Sequence, residues 1–213
     1  MKCKYPWYNY LWYKYPRTPH LPYSPGATSD DIFSTANFEG KKIVITEKMD
    51  GENTSLYSNY YHARSIDSKH HESQSWLKNY HFQIAYKIPQ GWRLCGENLY
   101  AKHSIYYTGL KSYFLLFSIW EDELCLSWQD TVDFANELEV SLVPVLYQGE
   151  YSDKLVKELL ACLDLTKQEG IVVRLADTFT YSDFGNSVAK WVRKNHVTTD
   201  NHWKQSKLEL NTL

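Results

Sequence analysis

The chain has 213 residues, 43% hydrophobic and 23% charged, which is ordinary for a globular protein and enough for one sizeable core. A formal net charge of −2 excludes a global pull toward nucleic acid, so such a partner needs local basic patches. Cys3, Cys95, Cys125 and Cys162 show no CxxC or finger-like spacing, and no apolar run has the length of a bilayer span or the form of a leader. These exclusions leave a soluble, unprocessed chain in a reducing cytoplasm as the expectation.

Residues 1–26 form an aromatic and basic segment in which Lys2, Lys4, Lys14 and Arg17 alternate with Tyr5, Trp7, Tyr8, Tyr10, Trp12, Tyr13 and Tyr15. Cations and flat rings suit phosphates and stacked bases, although a tyrosine-rich strand packed on the core has the same composition. Pro16, Pro19, Pro22 and Pro25-Gly26 then predict an irregular wrapping loop. Thr28 to Asp31 is a candidate for a short helical turn.

Lys42–Glu47 is rich in β-branched residues and reads as a strand, and Thr54–Tyr57 reads as another. Between them, Lys48-Met49-Asp50-Gly51-Glu52-Asn53 places one lysine in a tight polar turn, where a strand end can aim it as a nucleophile. An ordinary hairpin with a solvated lysine has the same local pattern. Tyr60–Ser65 is a further extended run carrying Arg64, which also suits a solvated surface position.

Ser73 is the expected N-cap of a helix in which Trp76, Tyr80, Ile84 and Ile88 recur until Pro89. Trp92–Leu99 predicts a strand bearing Glu97, whose carboxylate needs a partner, and Tyr113–Trp120 predicts a buried strand turning into Leu124–Leu126. Ser127 to Asp130 resembles a capping box for a helix to about Glu139. Leu142–Tyr147 predicts a strand, and Ser152 opens a helix with Leu155, Val156, Leu159, Leu160 and Leu163 on one face. Gln168-Glu169-Gly170 precedes the strand Ile171–Arg174, and the run Ser187–His196 carries Lys190, Arg193 and Lys194. That basic run also fits an edge strand protected by charge.

In this order, EKMDGEN, HARS, GEN, YFLLF, EGIVVR and the Lys190 cluster resemble the motifs of the covalent nucleotidyltransferase superfamily, most closely its ATP-dependent RNA ligases. The resemblance covers roughly residues 14–203. It implies that Lys48 attacks the α-phosphate of ATP, releasing pyrophosphate and keeping AMP on its nitrogen. A free lysine titrates near about 10.4, so the resemblance implies that magnesium and the Lys190 cluster lower this value while neutralising the triphosphate.

By the same resemblance, Glu47 accepts from the adenine amino group, Arg64 and Glu97 hold the ribose hydroxyls, and Phe117 stacks on the base. Strand alternation turns Phe114 to the opposite face. Asn53 shapes the pocket, Glu169 positions Mg2+ or Mn2+, and Lys190 contacts the α-phosphate. Two departures stand out. Val192 occupies the position where many relatives carry a second lysine, leaving open whether Arg193 or Lys194 supplies that phosphate contact. Ser118 stands where an aspartate commonly follows the phenylalanine.

The implied fold is α+β, with antiparallel sheets packed together, helices outside, and the nucleotide in the groove between sheets. The expected domain is a single adenylyltransferase unit over 1–213 without an oligonucleotide-binding barrel at its carboxyl end. The implied reaction joins a 5′-phosphate to a 3′-hydroxyl of RNA through enzyme-AMP and RNA-adenylate. A DNA nick ligase, a guanylyltransferase or a non-catalytic nucleotide- or RNA-binding module are the alternatives. RNA ends are the expected partner, gripped by the aromatic amino terminus and the Lys207-containing tail, with an end-healing kinase or phosphatase left open.

Overall fold

The computed structural model describes residues 12–27, 31–67, 71–194 and 208–213. The expectations that fall on Lys2 to Tyr10, on Thr28–Asp30, on Asn195–His196 and on Lys207 lie outside the described residues.

Four strands form one antiparallel sheet: β1 (Lys42–Lys48), β7 (Val145–Glu150), β8 (Gly170–Leu175) and β10 (Val188–Val192), in spatial order β10-β8-β1-β7. The second sheet has six strands: β2 (Glu52–Leu56), β3 (Tyr61–Ala63), β4 (Trp92–Asn98), β5 (Phe114–Glu121), β6 (Leu124–Cys125) and β9 (Phe179–Thr180). Their order is β3-β2-β4-β5-β6-β9. Outside lie α1 (Ser75–Ile84), α2 (Trp128–Leu138) and α3 (Asp153–Ala161), and a short helix α4 (Phe184–Ser187) leads into β10. This is the expected α+β arrangement.

Period-2 alternation sorts each strand between two environments. In β1, Ile43 and Ile45 face outward into a cluster with Val156 of α3, Ile171, Val173 and Ala189, whereas Val44 faces inward toward Leu115 and Val143. Leu94, Phe114, Leu116 and Ile119 of the larger sheet pack outward against Leu77 and Ile84 of α1 and Ala135 and Leu138 of α2. Burying one large aliphatic or aromatic side chain stabilises by about 1.5–3 kcal/mol, so these faces dictate which side of each strand remains for the site.

The helix caps follow local chemistry. Ser127 Oγ accepts from Asp130 N–H at 3.1 Å and Ser152 Oγ from Leu155 N–H at 3.4 Å, as the sequence predicts. Ser73 does not cap α1. It lies inside a 3-10 turn, Glu72–Gln74, in which the His71 ring accepts from Ser73 N–H, and α1 starts only at Ser75.

Two larger departures concern connections. The segment Met49–Gly51 is no hairpin, because β1 and β2 belong to different sheets; it is the crossing between them. Leu142–Val143 does not begin a strand of the first sheet either. Val143 N–H donates to Leu116 O and Leu116 N–H to Ser141 O, so this stretch joins the larger sheet, and β7 starts only after Pro144. Proline has no N–H to give to a ladder, and Pro144 contributes its carbonyl to Glu47 N–H instead. The edge of β10 is covered by backbone: His20 bridges Lys190 in parallel and Ile32 on its other side. Charge alone is therefore not what protects that edge.

Candidate active site

The two sheets enclose a cavity of about 570 Å³ between their inner faces, a size suited to a nucleotide-like ligand. Thr46, Val172 and Lys190 stand abreast across β1, β8 and β10, and all three line it. One row further along, Lys48 is paired with Gly170 and Gly170 with Val192. A Cβ on Gly170 would lie 1.9 Å from the Trp191 carbonyl oxygen, so only glycine lets β8 approach β10 there. From the facing sheet come Asn53 and Glu97, direct cross-strand partners on β2 and β4.

Lys48 Nζ donates to Glu169 Oε2 at 2.5 Å, and the lysine side chain is 25% exposed against 4% for the glutamate. Burial, the largest influence, pulls the Lys48 pKa down, but the carboxylates of Glu169, Glu97 and Asp50 outweigh it and hold the value above the ordinary lysine range. The expected depression is tied to magnesium and the Lys190 cluster; the protein's own carboxylates act in the opposite direction. Lys190 is shifted the other way, downward, first by burial and then by the charge of Lys48. Glu97 is pushed up to about 8 by burial, with Lys48 opposing and Glu169 and Asp50 adding repulsion. Three carboxyl groups, those of Glu169, Glu97 and Asp50, gather around one ammonium, an arrangement that favours an added cation.

Phe117 owes its position to a β-bulge. The β4–β5 register steps from Cys95–Ser118 to Gly96–Leu116, leaving Phe117 as the extra residue. Phe114 and Leu116 therefore face the outer core while Phe117 and Ser118 both line the cavity. The Phe117 carbonyl, freed from the ladder, accepts from Arg174 Nη1 at 2.6 Å.

Of the residues singled out in the sequence, Glu47, Lys48, Asn53, Arg64, Glu97, Phe117 and Lys190 line the cavity. Glu169 is buried behind Lys48. Glu47 is held by Gln168 Nε2 at 2.9 Å, and its pKa is raised by burial against that hydrogen bond. Asn53 Oδ1 is buried without a hydrogen-bond partner. Arg64 Nε donates to the Tyr15 carbonyl at 3.4 Å. Arg193 and Lys194 are not brought to the cavity. Beyond Val192 the strand ends, and the Arg193 guanidinium is engaged by Leu165 O at 2.7 Å and Ser104 Oγ at 3.0 Å, while Lys194 lies in an exposed turn. Val192, at the position of the relatives' second lysine, is buried in the row of Lys48.

Three contributors were not singled out. Asp50 is buried, and its Oδ2 accepts from Ser104 N–H, Ser104 Oγ and Ile105 N–H, which anchors the loop after β4 beside Lys48. Arg174 is buried and joins the sheets through Phe117 O and Cys125 Sγ. Alternation with Ile171 and Val173 already turned Val172 and Arg174 to the inner face, a usable signal. Tyr15 lines the cavity from the amino-terminal segment, for which no local pattern exists. Among the described residues no group of three or more His, Cys, Asp or Glu side chains forms a metal cage, and no helix is long and apolar enough to cross a membrane.

Comparison with known proteins agrees with this architecture. No curated protein matches the chain in sequence. A Naegleria gruberi RNA ligase with an aspartate-to-alanine substitution, without ligand, aligns with TM-score 0.52 at 19% identity, covering 74% of this chain and 50% of that one. A glutamate-to-alanine mutant of that ligase with ATP and Mn gives 0.52 at 18% identity, covering 76% and 52%. The same ligase with pyrophosphate gives 0.51 at 21%, covering 74% and 50%. Identities this low show a shared fold, and the chain spans about half the length of these structures. The family model for RNA ligase matches residues 41–192, a stretch that holds both sheets and the whole inner wall of the cavity apart from Tyr15 and its neighbours, and the chain therefore belongs to the RNA ligase family.

Proposed function

We propose that this chain is an adenylyltransferase that seals RNA ends with ATP, joining a 5′-phosphate to a 3′-hydroxyl through lysyl-AMP at Lys48 and an RNA-adenylate. The observation that carries the reading is the placement of Lys48 between Glu169 and the cavity, with Lys190 one row away and Phe117 opposite. ATP and Mn in a structure of similar fold support the nucleotide and the metal class.

In the first step the Lys48 amine displaces pyrophosphate from the α-phosphorus, forming a P–N bond as the P–O bond breaks. The ammonium must first lose a proton, and Glu169 is the acceptor already in contact with it. Lys190, whose charge is less favoured than an ordinary lysine's, sits where it can neutralise the phosphates of the incoming nucleotide. Phe117 offers a ring for the base, Arg64 and Glu97 hydrogen-bonding groups for the sugar, and Asn53 Oδ1 an unfilled acceptor. Glu47 is the candidate partner of the adenine amino group. Glu169 would hold Mg2+ or Mn2+, and the ion would supply charge neutralisation at the triphosphate.

In the second step a 5′-phosphate oxygen of RNA attacks the AMP phosphorus as the P–N bond to Lys48 breaks, and in the third the 3′-hydroxyl attacks the 5′-phosphorus, loses its proton and releases AMP. The deciding experiment is incubation with ATP labelled at the α-phosphate, with Mg2+ or Mn2+, followed by acid precipitation and mapping, alongside sealing of matched nicked RNA, DNA and hybrid duplexes. A label on Lys48 that precipitates with the denatured protein, and sealing of RNA, are the expected results. Absence of label identifies a non-catalytic binder, and sealing confined to DNA removes the RNA assignment.

A further inference from the structure

The aromatic and basic amino-terminal segment is expected to grip RNA, yet part of it walls the nucleotide cavity. Tyr15, Pro16 and Thr18 line it. Pro19 O accepts from Lys190 N–H at 2.9 Å and Leu21 N–H donates to Lys190 O at 2.8 Å, so both backbone groups of Lys190 are held by this strap. The strap is itself pinned by an ion pair, Arg17 to Asp31 at 2.8 Å. Tyr15 is 8% exposed, and its ring meets Phe117 edge-on, with centroids 5.3 Å apart and planes at 73°. Behind it, Phe184 packs at 5.3 Å and 84°, and the hydroxyl engages Ser118.

We propose that Tyr15 is a positioning residue for the nucleotide, fixing the Phe117 ring at its bulge and ordering the strap that holds Lys190. The inference rests on the adenylyltransferase reading above. A half-buried ring on an irregular stretch of strand has freedom to lose when a base stacks on it, and an edge-to-face neighbour removes that freedom beforehand. Tyr15 thus acts on the affinity for the adenine nucleotide through Phe117 and not on the bond-making atoms.

The test measures AMP binding by calorimetry, KM and kcat for ATP in self-adenylylation, and sealing of pre-adenylated RNA, in the full chain. Tyr15→Leu is expected to weaken AMP binding and raise KM for ATP about tenfold, equivalent to about 1.4 kcal/mol, to raise KM for pre-adenylated RNA as well, since its AMP needs the same cavity, and to change kcat much less in both. Tyr15→Phe, which keeps the ring, should return most of the affinity. In the double variant with Phe117→Ala, the loss should equal that of Phe117→Ala alone. Unchanged AMP affinity in a folded Tyr15→Leu protein, or additive losses in the double variant, overturns the proposal. Should Tyr15→Leu melt below the assay temperature, Tyr15→Met keeps more of the volume and carries the same readings. A wild type that binds AMP but takes no label from ATP refutes the catalytic reading while the binding data still decide the role of Tyr15. A wild type that binds no nucleotide removes both.

Discussion

Lys48 Nζ and Glu169 Oε2 lie 2.5 Å apart across neighbouring antiparallel strands, the lysine ending β1 and the glutamate immediately preceding β8. The contact is a partly buried ion pair, and in the reaction proposed above it would also pass the proton that activates the amine. Because the amine is held above its ordinary proton affinity by surrounding carboxylates, charge must be redistributed before it can attack.

Lys48→Ala should abolish the covalent AMP adduct and also destabilise the fold, since Glu169 loses its buried partner. The expected cost is about 1–3 kcal/mol, moderated because the carboxyl can take up a proton. Adding Glu169→Gln to Lys48→Ala should recover part of it in urea unfolding. A fully stable Lys48→Ala protein would show that the ion pair contributes nothing to folding, and an adduct on another lysine would displace Lys48 from the mechanism.

The pH dependence of stability should carry the signature of Glu97. Its folded-state pKa is raised from 4.5 to about 8, so the folded protein holds a proton there that the unfolded chain releases. The associated stabilisation is complete below the unfolded value and is lost as pH rises toward about 8. Glu97→Gln should therefore gain in melting temperature relative to wild type between pH 5 and 8, as followed by circular dichroism. A difference independent of pH in that window would mean that Glu97 ionises normally.

Phe117→Ala and Phe114→Ala should separate binding from folding. Phe117 faces the cavity, so its loss should weaken ATP binding by about 1–3 kcal/mol with a modest effect on stability. Phe114 is fully buried in the outer core, so its truncation should cost about 3–5 kcal/mol of folding free energy. Calorimetry with ATP and urea unfolding on both variants check this, and reversal of the two patterns would contradict the placement of the bulge.

Deletions from the amino terminus should divide at the strap. Removing residues 1–11 takes away Lys2, Lys4 and four aromatic rings, and is expected to reduce salt-sensitive RNA sealing while self-adenylylation survives. Extending the deletion through Leu21 also removes Tyr15 and the backbone partners of Lys190, and should abolish adenylylation. Equal loss in both deletions would place the first eleven residues in the nucleotide site or the core.

Local pattern was sufficient for what depends on neighbouring residues in the chain. β-branched runs gave β1 and β8, serine caps located α2 and α3, and strand alternation separated Phe114 from Phe117. The ordered motifs named seven residues that line the cavity, Lys48, Asn53 and Glu97 at or near strand ends and Phe117 and Lys190 within strands among them. Long-range pairing lay beyond that reach. That β1 and β2 part into separate sheets, that Arg193 is drawn to Ser104 and Leu165, and that Tyr15 inserts beside Phe117 follow from contacts between distant segments. The charge state of Lys48 belongs with them. A lysine's sequence neighbours do not determine its proton affinity, which is decided by the burial and the carboxylates that folding gathers around it.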